Sequence, residues 1–175
     1  KVRIPGRDLP ADYQWQEVEE EILEPQDYDK ISEMGYDRFY QEEYLPRISG
    51  LTADDVHRER SAVITTGMQF VAECDKRKIK PFYLGSGIHP FFTLSLMRSM
   101  IAFTKDLYYN PDPVERAIKR MTADVIAAQI PLAKMFGLGT LLLNEERASG
   151  YFYPPRIFER FWWPYTRQIV SAFWS

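Results

Sequence analysis

The chain of 175 residues contains one cysteine and two histidines. Cys74 alone excludes an intrachain disulfide and both the CxxC and HxC spacings of metal or redox sites. No stretch approaches the ~18 to 20 unbroken apolar residues of a membrane-spanning helix. There is no basic excess either: 22 Lys and Arg stand against 25 Asp and Glu, for a formal charge of −3. Nucleic-acid binders usually present a basic face, so nucleic acid is not an expected partner. A membrane partner is not expected, and a single unpaired cysteine fits a reducing cytoplasm. Lys1 stands where a Met would open a chain, no leader pattern follows, and Phe173-Trp174-Ser175 ends without a helix cap, so both ends read as cut.

What the chain does have is 45% hydrophobic and 15% aromatic residues, enough to bury the core of one domain or a large piece of one. Residues 1 to 51 read as an extended lead and an acidic helical segment, and residues 52 to 175 as a strand and helix region. The run Glu17, Glu19, Glu20, Glu21, Glu24, Asp27 and Asp29 reads as a solvated face. Gly35 sits where a helix C-cap belongs, with a second helix from Tyr36 toward Leu45. Thr52 is an N-cap for a long helix to about Lys78, with Asp54 and Asp55 in its first turn, where the dipole favours carboxylates. Val56, Val63, Gly67, Phe70 and Cys74 share one face of it, predicted to be buried with Cys74 as a structural thiol.

Lys80 to Leu84 is a short apolar run that reads as a buried strand, followed by a tight Gly85-Ser86-Gly87 loop and a helix from Pro90 to about Thr104. Asp112-Pro113 opens another helix. Its stripe of Val114, Ile118, Met121, Val125, Ala128, Leu132 and Phe136 ends at Gly137, with a kink expected from Pro131. Thr140 to Asn144 reads as a second buried strand, and a last helix carries Phe158, Phe161, Tyr165, Ile169 and Ala172. Strand, crossover helices, strand, helix is the pattern of a parallel sheet covered by helices. A closed eight-stranded barrel typically takes ~250 residues, so the fold expected here is part of a (β/α)8 barrel.

In such architectures the chemistry sits in the loops at the carboxyl ends of the strands. The first loop, residues 85 to 92, offers close backbone approach at Gly85 and Gly87 and polar contacts from Ser86 and His89. It lacks the third glycine of a dinucleotide fingerprint and the lysine of a P-loop. His89 is a candidate proton shuttle or metal ligand, with a hydrogen-bonded structural role as the competing reading; His57, on a charged helix, reads as solvated. The second loop, residues 144 to 150, brings Asn144, Glu145, Glu146 and Arg147 together. Glu145 or Asn144 is the candidate inward-facing residue, against a salt bridge to Arg147. Arg98, on the following helix, is a candidate for steering an anionic substrate, against an ordinary surface arginine. The aromatic segments Tyr151-Phe152-Tyr153 and Phe161-Trp162-Trp163 fit either core packing or a partner or dimer surface.

At these loops the chain resembles the uroporphyrinogen decarboxylase superfamily, which includes the cobalamin-dependent methyltransferases. The residues that carry the resemblance are Ile4-Pro5-Gly6, the run from Gly85 to Phe91, Asn110-Pro111-Asp112-Pro113-Val114, the helix before Leu141-Leu142-Leu143, and Phe158-Glu159-Arg160-Phe161 with Pro164-Tyr165. It spans nearly the whole chain and implies an enzyme on a (β/α)8 barrel, with strands three and four at Pro81 to Leu84 and Thr140 to Asn144. The decarboxylases keep a tyrosine six residues beyond the loop proline, and here that position is Leu96. The resemblance therefore implies methyl transfer between a corrinoid protein and a thiol or similar acceptor, ahead of decarboxylation of an acetate-bearing tetrapyrrole. A zinc ion would supply the thiolate in that branch, with its ligands outside this chain. Ser86, Gly87, His89, Arg98, Asn144, Glu145 and Arg147 would line the substrate side. A non-catalytic binding or assembly protein is the third reading.

Overall fold

The computed structural model describes residues 2–48, 52–81, 86–135, 142–144 and 146–175. Helices take up most of them. Two short strands, β1 (Val2–Arg3) and β2 (Gln16–Glu17), pair antiparallel at the start. Helix α1 (Asp27–Met34) stops at Gly35, whose φ of 86° is readily adopted only without a Cβ. Helix α2 (Tyr36–Phe39) continues into a π-helical turn at Tyr40–Tyr44 and a 3-10 turn at Leu45–Arg47.

Helix α3 (Ala53–Lys76) opens on a reciprocal capping box. The Asp55 amide donates to Thr52 Oγ1, and the Thr52 amide donates to the Asp55 carboxylate. Then come β3 (Ser86–Ile88), α4 (Pro90–Arg98), α5 (Met100–Tyr109), α6 (Pro111–Met135), β4 (Leu142–Asn144), α7 (Pro155–Phe161) and α8 (Trp163–Trp174).

The core forms where α1, α4, α5, α7 and α8 bring apolar faces onto α6. Tyr28 and Ile31 of α1, Phe91 and Leu94 of α4, Phe103 and Leu107 of α5, Val114, Ala117, Ile118 and Met121 of α6, and Phe161 and Tyr165 of α7 and α8 belong to one buried cluster. Phe91 is its aromatic hub, meeting the rings of Phe103 and Tyr153 edge-on at 5.0 and 5.4 Å.

The partial barrel expected from the sequence is corrected: this is a mostly helical fold. A barrel closes only when each strand is paired on both edges. Among the described residues β3 and β4 are three residues long, pair only with each other, and have no further neighbour. The expected strand at Lys80 to Leu84 falls largely on residues outside the described set, and the strand that is described lies in the predicted loop, at Ser86–Ile88. The second apolar run does contain a strand, at Leu142–Asn144, but helix packing supplies the core.

Three finer differences have local causes. The helix expected from Pro90 to Thr104 breaks at Ser99, whose φ of 68° turns the chain while its Oγ accepts from the Ala102 amide. In α6 the buried face follows Val114, Ile118, Met121 and Val125 but then passes to Ile130 and Ala133 instead of Ala128 and Leu132. The shift falls at Pro131, which has no N–H for the carbonyl of Ala127. The apolar face of α3 is not buried: Val63 is 71% and Phe70 50% exposed, and Cys74 is the residue of that helix that is covered.

Candidate functional site

The two loops singled out by the sequence do lie together. β3 and β4 pair in parallel, Ser86 opposite Leu142, Gly87 opposite Leu143 and Ile88 opposite Asn144. Parallel strands leave from the same edge, and α4, α5 and α6 form the crossover that parallel pairing requires. His89, directly after β3, and Asn144 with Glu146 and Arg147, at the end of β4, therefore share one end of the pair. Ser86 and Gly87 contribute through their backbone positions in β3. Glu145 lies outside the described residues.

His89 is fully buried. Its extended backbone makes it the N-cap of α4, where Pro90 follows at the first helical position. The Phe91 amide donates to Nδ1 at 3.1 Å, which assigns the ring proton to Nε2. Nε2 lies 3.2 Å from Thr166 Oγ1 on α8, and that hydroxyl in turn donates to the Trp162 carbonyl at 3.1 Å. One tautomer satisfies all three groups. Burial pushes the imidazole pKa down to about 3, so the ring is neutral at neutral pH and holds α4 to α8.

Arg98 is committed in another way. Its Nε donates to Asp106 Oδ2 at 2.8 Å, and Tyr28 donates its hydroxyl to the same oxygen at 2.8 Å. Its NH1 reaches outward to Glu21 at 3.1 Å and to the Leu23 carbonyl at 3.2 Å. Burial, followed by the Asp106 charge, pushes the Tyr28 phenol far above its ordinary range. Arg147 donates from NH1 to the Ser95 carbonyl at 2.9 Å and from NH2 to Glu19. Glu19 also accepts from the Met100 amide at the start of α5, 2.9 Å away.

Glu19 and Glu21 thus make structural ion pairs that reading the acidic run as a solvated face missed. The available signal was their nearness to Leu23, an apolar residue that is fully buried with its amide donating to the Met97 carbonyl at 2.9 Å.

The aromatic segments divide. Tyr153 and Phe161 are core residues, whereas Tyr151, Phe152 and Trp163 are exposed. Between these groups, Phe91, Tyr153, Ile157, Phe158 and Trp162 line a shallow crevice with no room for even a water molecule, so it is not a small-molecule pocket. Leu96 sits on α4 partly exposed.

The zinc that the family resemblance implies has its expected ligands outside this chain. Among the described residues no group of three or more His, Cys, Asp or Glu could hold a metal ion. Cys74 is buried, and both nitrogens of His89 are within hydrogen-bond reach of protein groups. What the arrangement offers is a polar edge with an amide at Asn144, and two largely covered guanidinium groups at Arg98 and Arg147. Among the described residues no helix is long and apolar enough to cross a membrane. Comparison with family models, with curated proteins and with solved structures finds no match for this chain.

Proposed function

We propose that the chain supplies the substrate-binding wall of an enzyme similar to the uroporphyrinogen decarboxylase superfamily, in the branch that moves a methyl group between a corrinoid protein and a thiol or similar small acceptor. The observation that supports this is the parallel register of Ser86–Ile88 with Leu142–Asn144, which sets the two resemblance-bearing loops side by side at one edge. Leu96 favours methyl transfer over decarboxylation, because a leucine offers no phenolic hydroxyl to a tetrapyrrole. With no ligand set for zinc among the described residues, the role assigned here is binding and orientation. Asn144 is the side chain proposed to hold the acceptor, Ser86 and Gly87 provide the close backbone approach, and His89 positions the loop as a neutral cap. Glu145 and Arg147 complete the proposed lining. The lone Cys74 supports a reducing, cytoplasmic setting.

The test follows methylcobalamin absorbance when the full-length polypeptide is mixed with a small thiol. Loss of the methylcobalamin spectrum faster than in buffer, slowed in Asn144→Ala, is the expected result. A rate equal to that of buffer removes the methyl-transfer reading. Carbon dioxide release from an acetate-bearing tetrapyrrole would move the assignment to decarboxylation.

A further inference from the structure

Two arginines are met by one acidic strap. Arg147 donates to the backbone carbonyl of Ser95, three residues before Arg98 on α4. Their side chains are only 15% and 12% exposed. Asp106 balances Arg98 from the protein side, while the protein-side contact of Arg147 is the neutral Ser95 carbonyl. Two guanidinium groups and one carboxylate leave one positive charge at this place, and the strap answers it with Glu19 on Arg147 and Glu21 on Arg98.

The strap is unevenly held. Leu23 anchors it, fully buried and hydrogen-bonded to Met97. Upstream of that anchor the Glu19 carboxylate contacts Arg147 and the Met100 amide and the Glu21 carboxylate contacts Arg98, with Glu21 58% and Glu19 34% exposed, within reach of water and solutes. Glu20, between the two in sequence, is exposed. Guanidinium groups bind carboxylates through paired N–H donors, whichever molecule supplies the carboxylates.

We propose that Arg98 and Arg147 form a binding site for a small polycarboxylate, and that Glu19 and Glu21 are its internal occupants, displaced when the ligand binds. The strap opens about Leu23, and the ligand's carboxylates take the outward N–H groups of the two arginines. Asp106 and the Ser95 carbonyl keep the guanidinium groups in place from behind. This site shares Arg147 with the lining proposed for methyl transfer, but its evidence is the two arginines and their occupants.

The experiment titrates tricarballylate, a flexible tricarboxylate, into the full chain by calorimetry, with amide hydrogen exchange recorded in parallel. Glu19→Gln with Glu21→Gln removes the competing charge yet keeps an oxygen for the Met100 amide. If the closed strap leaves about a tenth of molecules competent, the double variant binds about 10-fold more tightly than wild type. Glu20→Gln binds as wild type does, and ligand accelerates exchange at residues 19 to 21 of the wild type without loosening α4. Equal affinity of the double variant and wild type, an equal gain in Glu20→Gln, or saturation without faster strap exchange would each overturn the proposal. So would the absence of binding to all three proteins. None of these readouts depends on turnover, so failure of the methyl-transfer assay leaves this result standing.

Discussion

At the scale of single residues, the buried polar groups His89, Asp27 and Asp106 tie together distant parts of the chain. His89 illustrates the pH consequence. Its native pKa of about 3 lies below the ordinary ~6.5, so between those values the unfolded chain binds more protons than the native one. Stability is therefore full above pH ~6.5 and declines as pH falls toward ~3, by at most about 1.4 kcal/mol per pH unit. Wild type compared with His89→Asn, which keeps a capping side chain, is predicted to lose about 2 kcal/mol more between pH 7 and pH 5 in urea melts; parallel losses would refute the buried neutral ring. Asp27 has the opposite sense. Burial alone would raise its carboxyl, but hydrogen bonds from Arg47 and the Glu24 amide, with the charges of Arg47 and Lys30, hold it below the ordinary value. Its contribution is present above pH ~3.9 and is lost as pH falls through the lowered native value. Asp27→Asn removes the buried carboxylate partner of Arg47, which keeps only Glu43 and the Ile22 carbonyl of its described polar contacts, and is predicted to cost about 3 kcal/mol at pH 7 by chemical denaturation; a cost under about 0.5 kcal/mol would contradict that pairing. His89 could be picked out from the chain as a polar residue at a strand end, but its role depends on Thr166, far along the sequence and invisible to local pattern.

Elements separate what local chemistry decides from what packing decides. The start of α3 was legible because Thr52 and Asp55 satisfy each other within one turn. Its apolar face was legible too, through Val56, Val63 and Phe70, but periodicity names an apolar face without saying what covers it. The contrast with α6 is measurable. Ile118 is fully buried, and Ile118→Ala is predicted to cost about 2 to 5 kcal/mol, whereas Phe70→Gln on α3 stays within about 0.5 kcal/mol. Equal costs in thermal or urea melts would mean that the α3 face is covered in solution. The break at Ser99 had no such local signal. A serine at positive φ is held there by its surroundings, namely its cap on Ala102 and the Glu19 carboxylate on the Met100 amide. For the same reason the chain between Pro90 and Thr104 read as one helix.

For the whole molecule, the sequence conveyed neighbourhood better than architecture. The short apolar run at Thr140 to Asn144 located the segment that became β4, whereas β3 lies in the expected loop after Leu84, and the two segments do share an edge. The barrel was not legible, because two three-residue strands satisfy the same pattern that longer ones would, while the choice of core belongs to the faces of α1, α4, α5, α6, α7 and α8 together. The strap ties the same edge to the beginning of the chain, through Glu19 and Glu21. The account therefore turns on one long-range arrangement, the parallel contact of residues 86 to 88 with residues 142 to 144. Nuclear Overhauser contacts in the isotopically labelled chain test it most directly. Cross-strand backbone contacts linking Gly87 to Leu143 and Ile88 to Asn144 in parallel order are predicted; antiparallel order, or no contact between these segments in the folded protein, would contradict the account.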